Sequence, residues 1–188
     1  MTNEELLERQ IGDRNQSDRA FAKLVSGLRP LVEAKLRSKY NDKWERQVHH
    51  IGNNSANLND PLCLLWTLNN NWQLFSNTFP HRRDAPTGKE LVWDLKEYRN
   101  ASTHLNPNFT TQDKENAIDS IVKLLELVVP RTSVIEEAIS RVSEIIKENL
   151  LEKMQALDSR IASVIPASDP TVFEVLRSEE RRVGKECW

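Results

Sequence analysis

Residues 18–40 read DRAFAKLVSGLRPLVEAKLRSKY, and their apolar side chains recur at intervals of three and four residues. These side chains are Phe21, Leu24, Val25, Leu28, Leu31, Val32, Leu36 and Tyr40. Such spacing places them on one face of an α-helix, where they can pack against a core. We predict an amphipathic helix from Asp18 to about Val48, and we expect Pro30 to mark a kink or a restart.

The same spacing recurs in three later segments, and each has a recognisable helix start. Asp60 and Pro61 supply an N-cap and a first-turn proline for a second helix, which continues to Phe79. Residues 87–90 (Thr-Gly-Lys-Glu) have the spacing of a capping box and begin a third helix. Residues 110–113 (Thr-Thr-Gln-Asp) cap a fourth helix.

A fifth apolar pattern follows Pro130 and is longer than the others. Its side chains are Ile135, Ile139, Val142, Ile146, Leu150, Met154, Leu157, Ile161 and Val164. Because the intervals stay at three or four, the pattern predicts an extended helix or a coiled-coil arm over residues 131–165. Pro166 and Pro170 are expected to end this helix, and residues 166–188 to form a disordered tail.

The composition is that of an ordinary globular domain. Of the 188 residues, 38% are hydrophobic and 29% are charged, and five Gly and eight Pro leave little scope for a many-turned β architecture. We predict an all-α fold, with a four-helix bundle over residues 18–130 followed by a long C-terminal helix. Residues 1–17 are polar and are expected to form a flexible N-terminus.

Charge, cysteine content and hydropathy exclude several classes of protein. The formal net charge of −2 argues against a broad basic face, so an RNA contact would have to be confined to a cleft. Cys63 and Cys187 indicate neither a disulfide framework nor a metal site. The N-terminus does not resemble a signal peptide, and no apolar run is long enough to span a membrane. We expect a cytoplasmic protein without a metal or other cofactor.

Residues 177–187 read RSEERRVGKEC, a run that resembles the translation of a sequencing-adapter oligonucleotide. The alternative is a charged, solvated tail, and either interpretation removes this run from the fold argument. If the run is an adapter artefact, the native protein continues beyond Leu176. We then expect this chain to be the N-terminal part of a larger protein.

The motif with the clearest chemistry is Arg99-Asn100-Ala101-Ser102-Thr103-His104, near the end of the third predicted helix. Positions five apart lie about 140° apart around an ideal helix. Arg99 and His104 therefore converge only if the helix ends between them, or if a cleft accepts both side chains. Pro107 follows closely and favours such an ending, because the residue before a proline is driven away from helical angles.

This arrangement resembles the HEPN superfamily, and within it the Swt1-like HEPN domains. Their signature is an arginine, four to six residues and then a histidine, often with a polar residue directly after the arginine. Residues 28–33 (Leu-Arg-Pro-Leu-Val-Glu) are similar to the first helix of that group, and residues 108–113 and 117–119 to its last. The resemblance covers about residues 18–130. Ser102 and Thr103 depart from the Trp-Ala that relatives often have before the histidine.

The resemblance implies a metal-independent endoribonuclease of a defence or toxin type, with two motifs meeting across a homodimer cleft. In that interpretation His104 moves the 2′-hydroxyl proton or protonates the leaving oxygen, and Arg99 holds the phosphate. Asn100 orients either group by hydrogen bonding. Candidate RNA-binding residues are Arg82, Arg83 and Lys96, although Arg82 and Arg83 also fit an exposed charged loop.

Two alternatives remain open from the residues alone. The domain can be a non-catalytic RNA-binding or dimerisation module that regulates downstream domains such as an ATPase, a helicase or a nuclease. It can also be a helical adaptor in which Arg99 and His104 only satisfy the last carbonyls of a helix. Catalysis needs both side chains exposed and paired across a two-fold axis. Trp66, Trp72, Phe75 and Trp93 fall at helical spacing and are predicted to belong to the core rather than to stack on bases.

Overall fold

The computed structural model describes residues 3–48, 57–80, 86–103 and 110–164. Over these residues the chain forms α-helices and short 3-10 helices and contains no strand, which confirms the all-α prediction. The helices are α1 (Asn3–Tyr40), α2 (Pro61–Asn70), α3 (Trp72–Phe75), α4 (Gly88–Thr103), α5 (Thr111–Glu126) and α6 (Ser133–Val164). Two 3-10 helices, Asn41–Gln47 and Ser76–Thr78, follow α1 and α3.

The first helix begins earlier and ends earlier than the sequence predicted. It starts at Asn3 rather than Asp18, because residues 3–17 are rich in Glu, Leu, Arg and Gln, and a helix extends more easily than it nucleates. It runs through Pro30 without a restart. The α-helix stops at Tyr40 rather than near Val48, and Asn41 then adopts a φ of 47°. Asparagine tolerates this left-handed conformation better than most residues.

The predicted helix starts are confirmed by their hydrogen bonds. Asp60 accepts a bond of 2.9 Å from the backbone N–H of Cys63. The Thr87 hydroxyl accepts from the Glu90 N–H at 3.2 Å, and the Glu90 carboxylate accepts from the Thr87 N–H at 2.7 Å. Thr110 forms the same reciprocal box with the third residue of α5. Each cap satisfies backbone donors that the first turn of a helix leaves unpaired.

The second predicted helix is interrupted, which the sequence analysis did not foresee. α2 ends at Asn70, and Asn71 has φ −106° and ψ 25°. The Asn71 amide donates to the carbonyl oxygens of Thr67 at 3.0 Å and Gln47 at 3.3 Å. Asparagine side chains compete with the helix for backbone groups in this way, and Asn71 ends α2.

By its contacts the chain divides into two units, residues 1–146 and residues 147–188. In the first unit α1 packs against α2 and α5, and α4 packs against α2 and α5. Gly27 of α1 lies so close to its neighbours that an added Cβ would be 2.9 Å from the Cβ of Ala138 and 3.1 Å from a methyl of Leu125. Large fully buried side chains include Phe21, Leu24, Leu28, Leu64, Leu65, Phe75, Leu95, Ile121 and Leu124.

The described part of the second unit is the remainder of α6, from residue 147 to Val164. Its side chains are exposed from residue 150 to residue 163. None of the described helices in either unit combines the length and the apolar character that a membrane crossing requires.

Candidate functional site

Arg99 lies in the last part of α4, which ends at Thr103. Its backbone carbonyl accepts a hydrogen bond of 2.9 Å from the Ser102 hydroxyl. Leu91, Val92 and Leu95 of the same helix are buried in the core and fix the orientation of α4. Asn100 is the next residue and is exposed. The structure thus places the first two residues of the motif at the C-terminal end of a helix that the core holds in place.

The Arg99 guanidinium is held against α1. One guanidinium nitrogen donates to the Asp18 carboxylate at 3.0 Å, although the two residues lie 81 positions apart. The guanidinium carbon lies 5.8 Å from the centre of the Phe21 ring, a distance that permits a cation–π contact. The Arg99 side chain is 20% exposed, and that of Asp18 is 45% exposed. A ligand phosphate that approaches Arg99 therefore has to share the guanidinium with Asp18 or replace it.

Three of the predicted site residues lie outside the described residues. These are His104, the second half of the motif, and the basic pair Arg82 and Arg83. The distance between Arg99 and His104 accordingly stays a prediction, as do the roles of the basic pair. Asn100, directly after Arg99, is the predicted site residue that reaches solvent most openly among those that the structure describes.

Lys96, a predicted RNA contact, is enclosed by aromatic rings. The residue is 3% exposed, and its ammonium lies 3.2 Å from the centre of the Trp93 ring and 3.9 Å from that of Trp66. A carboxylate oxygen of Glu97 lies 3.2 Å from the same nitrogen. Cation–π contacts and an ion pair thus offset the cost of burying this charge. A phosphate that binds Lys96 would have to displace that packing, and an RNA contact by Lys96 stays a prediction.

The aromatic residues divide between core and surface. Phe75 is buried as predicted, and Trp72 packs against the core with its ring stacked on Phe79 at 5.6 Å. Trp93 differs from the prediction, because 49% of it is exposed. The residues of α4 that reach the core are its neighbours Leu91, Val92 and Leu95, and the Trp93 ring covers the Lys96 ammonium instead.

A concave region of about 620 Å³ lies at the first half of α4. It is lined by Asn69, Pro86, Thr87, Lys89, Glu90, Trp93 and Asp94. Burial, assisted by the charge of Glu90, raises the pKa of Asp94 above its ordinary value. Two carboxylates within this lining make it unfavourable for a phosphate. Among the described residues, no group of three or more His, Cys, Asp and Glu is arranged to hold a metal ion.

Tyr98, the residue before Arg99, is not suited to act as a base. Burial and the negative charges of Asp94 and Asp113 raise the pKa of its hydroxyl, while a hydrogen bond with Asn116 acts in the opposite direction. The hydroxyl therefore stays protonated near neutral pH.

Asp18 is the site residue that the sequence analysis missed. In the sequence it marked only the expected start of a helix, and nothing local pairs it with Arg99. One signal was present, because an acidic residue three positions before Phe21 lies near the buried face of the helix. Its partner could be found only once α1 and α4 were packed together.

The family model described as Swt1-like HEPN matches residues 19–129, more than half of the chain. The matched range includes Phe21, Arg99, Asn100 and His104, and it covers α2 to α5 completely. No curated protein and no solved structure matches the chain. The fold, the position of the motif and this match agree, and the chain belongs to the Swt1-like HEPN family.

Proposed function

We propose that this domain is a metal-independent endoribonuclease that acts through Arg99 and His104. The observation that supports the proposal most directly is the position of Arg99. It stands at the end of α4, buried enough to be fixed in orientation and exposed enough to meet a ligand, directly before Asn100 and four positions before the end of the helix. Membership of the family supplies the expectation that such a motif acts on RNA.

The residue types suit transesterification of RNA, which carries its own nucleophile. A neutral imidazole at His104 accepts the proton of a 2′-hydroxyl, and that oxygen attacks the adjacent phosphorus. The bond to the 5′ oxygen breaks, and this oxygen takes a proton from a second imidazole that is in its protonated, imidazolium form. The products are a 2′,3′-cyclic phosphate and a 5′-hydroxyl. Two imidazoles are available if two copies of the chain place their motifs in one cleft, which is part of the proposal.

Arg99 supplies charge at the phosphate in this scheme. A guanidinium is permanently charged and forked, so it can bind two phosphate oxygens as negative charge builds on them. Its contact with Asp18 at 3.0 Å orients the side chain before RNA binds. Because the side chain is oriented in advance, the entropic cost of binding RNA is lower.

The decisive experiment is cleavage of mixed single-stranded and structured RNA in the presence of EDTA. We compare the wild type with His104→Ala, and use His81→Ala as a matched loss of a histidine outside the motif. We expect cleavage by the wild type and the His81 variant, with 2′,3′-cyclic phosphate ends, and none by the His104 variant. General acid–base catalysis contributes about a hundredfold to ten-thousandfold, so the loss is measurable. Equal activity of all three proteins would refute the proposal.

A second candidate function is a non-catalytic module that binds RNA or forms a dimer and regulates other domains of a larger defence or toxin-type protein. The ion pair between Arg99 and Asp18 favours it, because a neutralised guanidinium contributes less to an incoming phosphate. This candidate predicts that the wild type and His104→Ala bind RNA equally and that neither cleaves it. We propose the cytoplasm as the location for either function, because RNA targets are found there.

A further inference from the structure

The described residues of the second unit carry a row of exposed apolar side chains. Leu150, Leu151, Met154, Leu157 and Ile161 of α6 are each between 48% and 58% exposed. Soluble monomers seldom leave so many large aliphatic side chains together in contact with water. A helix that exposes such a row usually buries it against another surface.

The spacing of these side chains is that of a coiled-coil seam. Leu150, Met154, Leu157 and Ile161 are separated by four, three and four residues, which assigns them to the heptad positions d, a, d and a. Val164 occupies the next d position. We propose that this seam pairs with the same seam of a second copy of the chain, forming a parallel two-stranded coiled coil over residues 150–164.

Charges beside the seam select a second copy in parallel orientation. In this register Lys153 and Arg160 occupy g positions and Asp158 occupies an e position. A parallel pair brings each g residue opposite the following e residue of its partner, so Lys153 meets Asp158 of the second copy. An antiparallel pair would bring g positions together and set basic side chains against each other. The chain is therefore complementary to itself in one orientation.

The residue types in the seam are also those that favour a coiled coil of two helices rather than three or four. Leucine at the d positions with a β-branched residue at an a position favours dimers over larger bundles, and Ile161 is such a residue. Leu151 at an e position widens the apolar surface on one side. Two heptads are short, so the contact is expected to be reversible. This inference concerns association alone and does not depend on cleavage of RNA.

Disulfide cross-linking of the whole chain tests the pairing. In a Cys187→Ser background, with the buried Cys63 unchanged, we compare Leu157→Cys on the seam with Ser159→Cys on the outer side. A parallel, in-register pair brings the two seam cysteines together, and we expect cross-linking about tenfold faster for Leu157→Cys. Equal rates would overturn the proposal, because an unpaired helix exposes both sites alike. Circular dichroism confirms that the two variants have equal helix content.

Charge reversal tests the orientation. Adding Lys153→Glu to Leu157→Cys sets two acidic residues together across a parallel pair and is expected to slow cross-linking several-fold, roughly three- to tenfold. Adding Asp158→Lys as well restores the attraction and should restore the rate. If the rate does not recover, Lys153 does not face Asp158 and the parallel register is wrong. If Lys153→Glu does not slow cross-linking, these charges play no part in pairing and the proposal is also overturned.

Discussion

At the scale of single residues, the contact between Arg99 and Asp18 would affect the proposed binding of RNA in two opposing ways. The carboxylate orients the guanidinium across the gap between α4 and α1, which favours productive contact with a phosphate. The same carboxylate places a negative charge 3.0 Å from the nitrogen that the phosphate needs. Because Asp18 is the more exposed partner, RNA can displace it without unfolding the helix that carries it. These two effects are separable by a single isosteric substitution.

We predict that Asp18→Asn tightens RNA binding and slows cleavage. Removing the negative charge is expected to improve the dissociation constant for RNA about threefold, whereas loosening Arg99 lowers the single-turnover rate. The ion pair is partly exposed, so stability should change by less than about 1 kcal/mol. Fluorescence anisotropy with 2′-O-methyl RNA measures the binding, and Asp42→Asn is the control for an exposed carboxylate. If RNA binds more weakly to Asp18→Asn, the competition between carboxylate and phosphate is not present.

We predict that Arg99→Lys lowers the single-turnover cleavage rate about a hundredfold, even though the charge is kept. A lysine ammonium cannot bind two phosphate oxygens with a planar fork, and it cannot keep the same contact with Asp18. Arg37→Lys is the matched control, because Arg37 is exposed and pairs with Glu33 near the C-terminal end of α1. A rate that is equal in Arg99→Lys and the wild type would show that Arg99 acts only as a charge.

Only one residue of this pair was predictable from the sequence. Arg99 was recognisable because a short motif surrounds it. Asp18 could not be assigned, since its role arises from the packing of two helices whose residues lie 81 positions apart. The surroundings of Lys96 also could not be predicted from the sequence. Lys96 is a predicted RNA contact, and nothing in the sequence indicated that its ammonium lies against the rings of Trp66 and Trp93.

At the scale of helices, local signals predicted where elements begin better than where they end. The starts depend on hydrogen bonds between residues three apart, as between Thr110 and Asp113, and these are visible in the sequence. Ends depend on competition between backbone and side chain, as at Asn71, and on tertiary contacts. The extension of α1 to Asn3 was missed because its residues have helix propensity without an apolar period.

The cap of α5 gives a prediction for the pH dependence of stability. Hydrogen bonds from the backbone and side chain of Thr110 hold the pKa of Asp113 below its ordinary value of 3.8. The cap therefore contributes fully above that value, and its contribution is lost as the pH falls through the lowered pKa of the folded state. Asp113→Asn should cost about 0.5 to 1 kcal/mol at neutral pH.

The difference between Asp113→Asn and the wild type should shrink as the pH falls below 3.8 and through the lowered pKa of the folded state, because the wild-type carboxyl then becomes neutral. Urea unfolding at several pH values measures this convergence. Asp119→Asn is the control, because Asp119 lies on the same helix and pairs with Lys123 at its surface. A constant difference across the whole pH range would mean that the Asp113 charge is not what stabilises the cap.

At the scale of the whole molecule, the region that the family model matches is shorter than the region that contributes to the hydrophobic core. The family match ends at residue 129, yet the core of the first unit includes Ile135, Ala138, Val142 and Ile145 from the beginning of α6. Fully burying one aliphatic side chain contributes about 1.5 to 3 kcal/mol. These residues together can contribute as much as the net stability of a domain, which is about 5 to 15 kcal/mol.

Two valines of α6 test this directly in the full chain. Val142 is fully buried in the first unit, whereas Val134, two turns earlier, is 42% exposed. We predict that Val142→Ala lowers the free energy of unfolding by about 2 kcal/mol through lost burial and a residual cavity. Val134→Ala should change it by less than about 0.5 kcal/mol. Urea unfolding followed by circular dichroism measures both. If the two variants lose equal stability, burial of Val142 does not stabilise the domain. A chain that ends at residue 129 gives a second test. If it unfolds at the same urea concentration as the wild type, α6 is not part of the core and the folding unit ends where the family match ends.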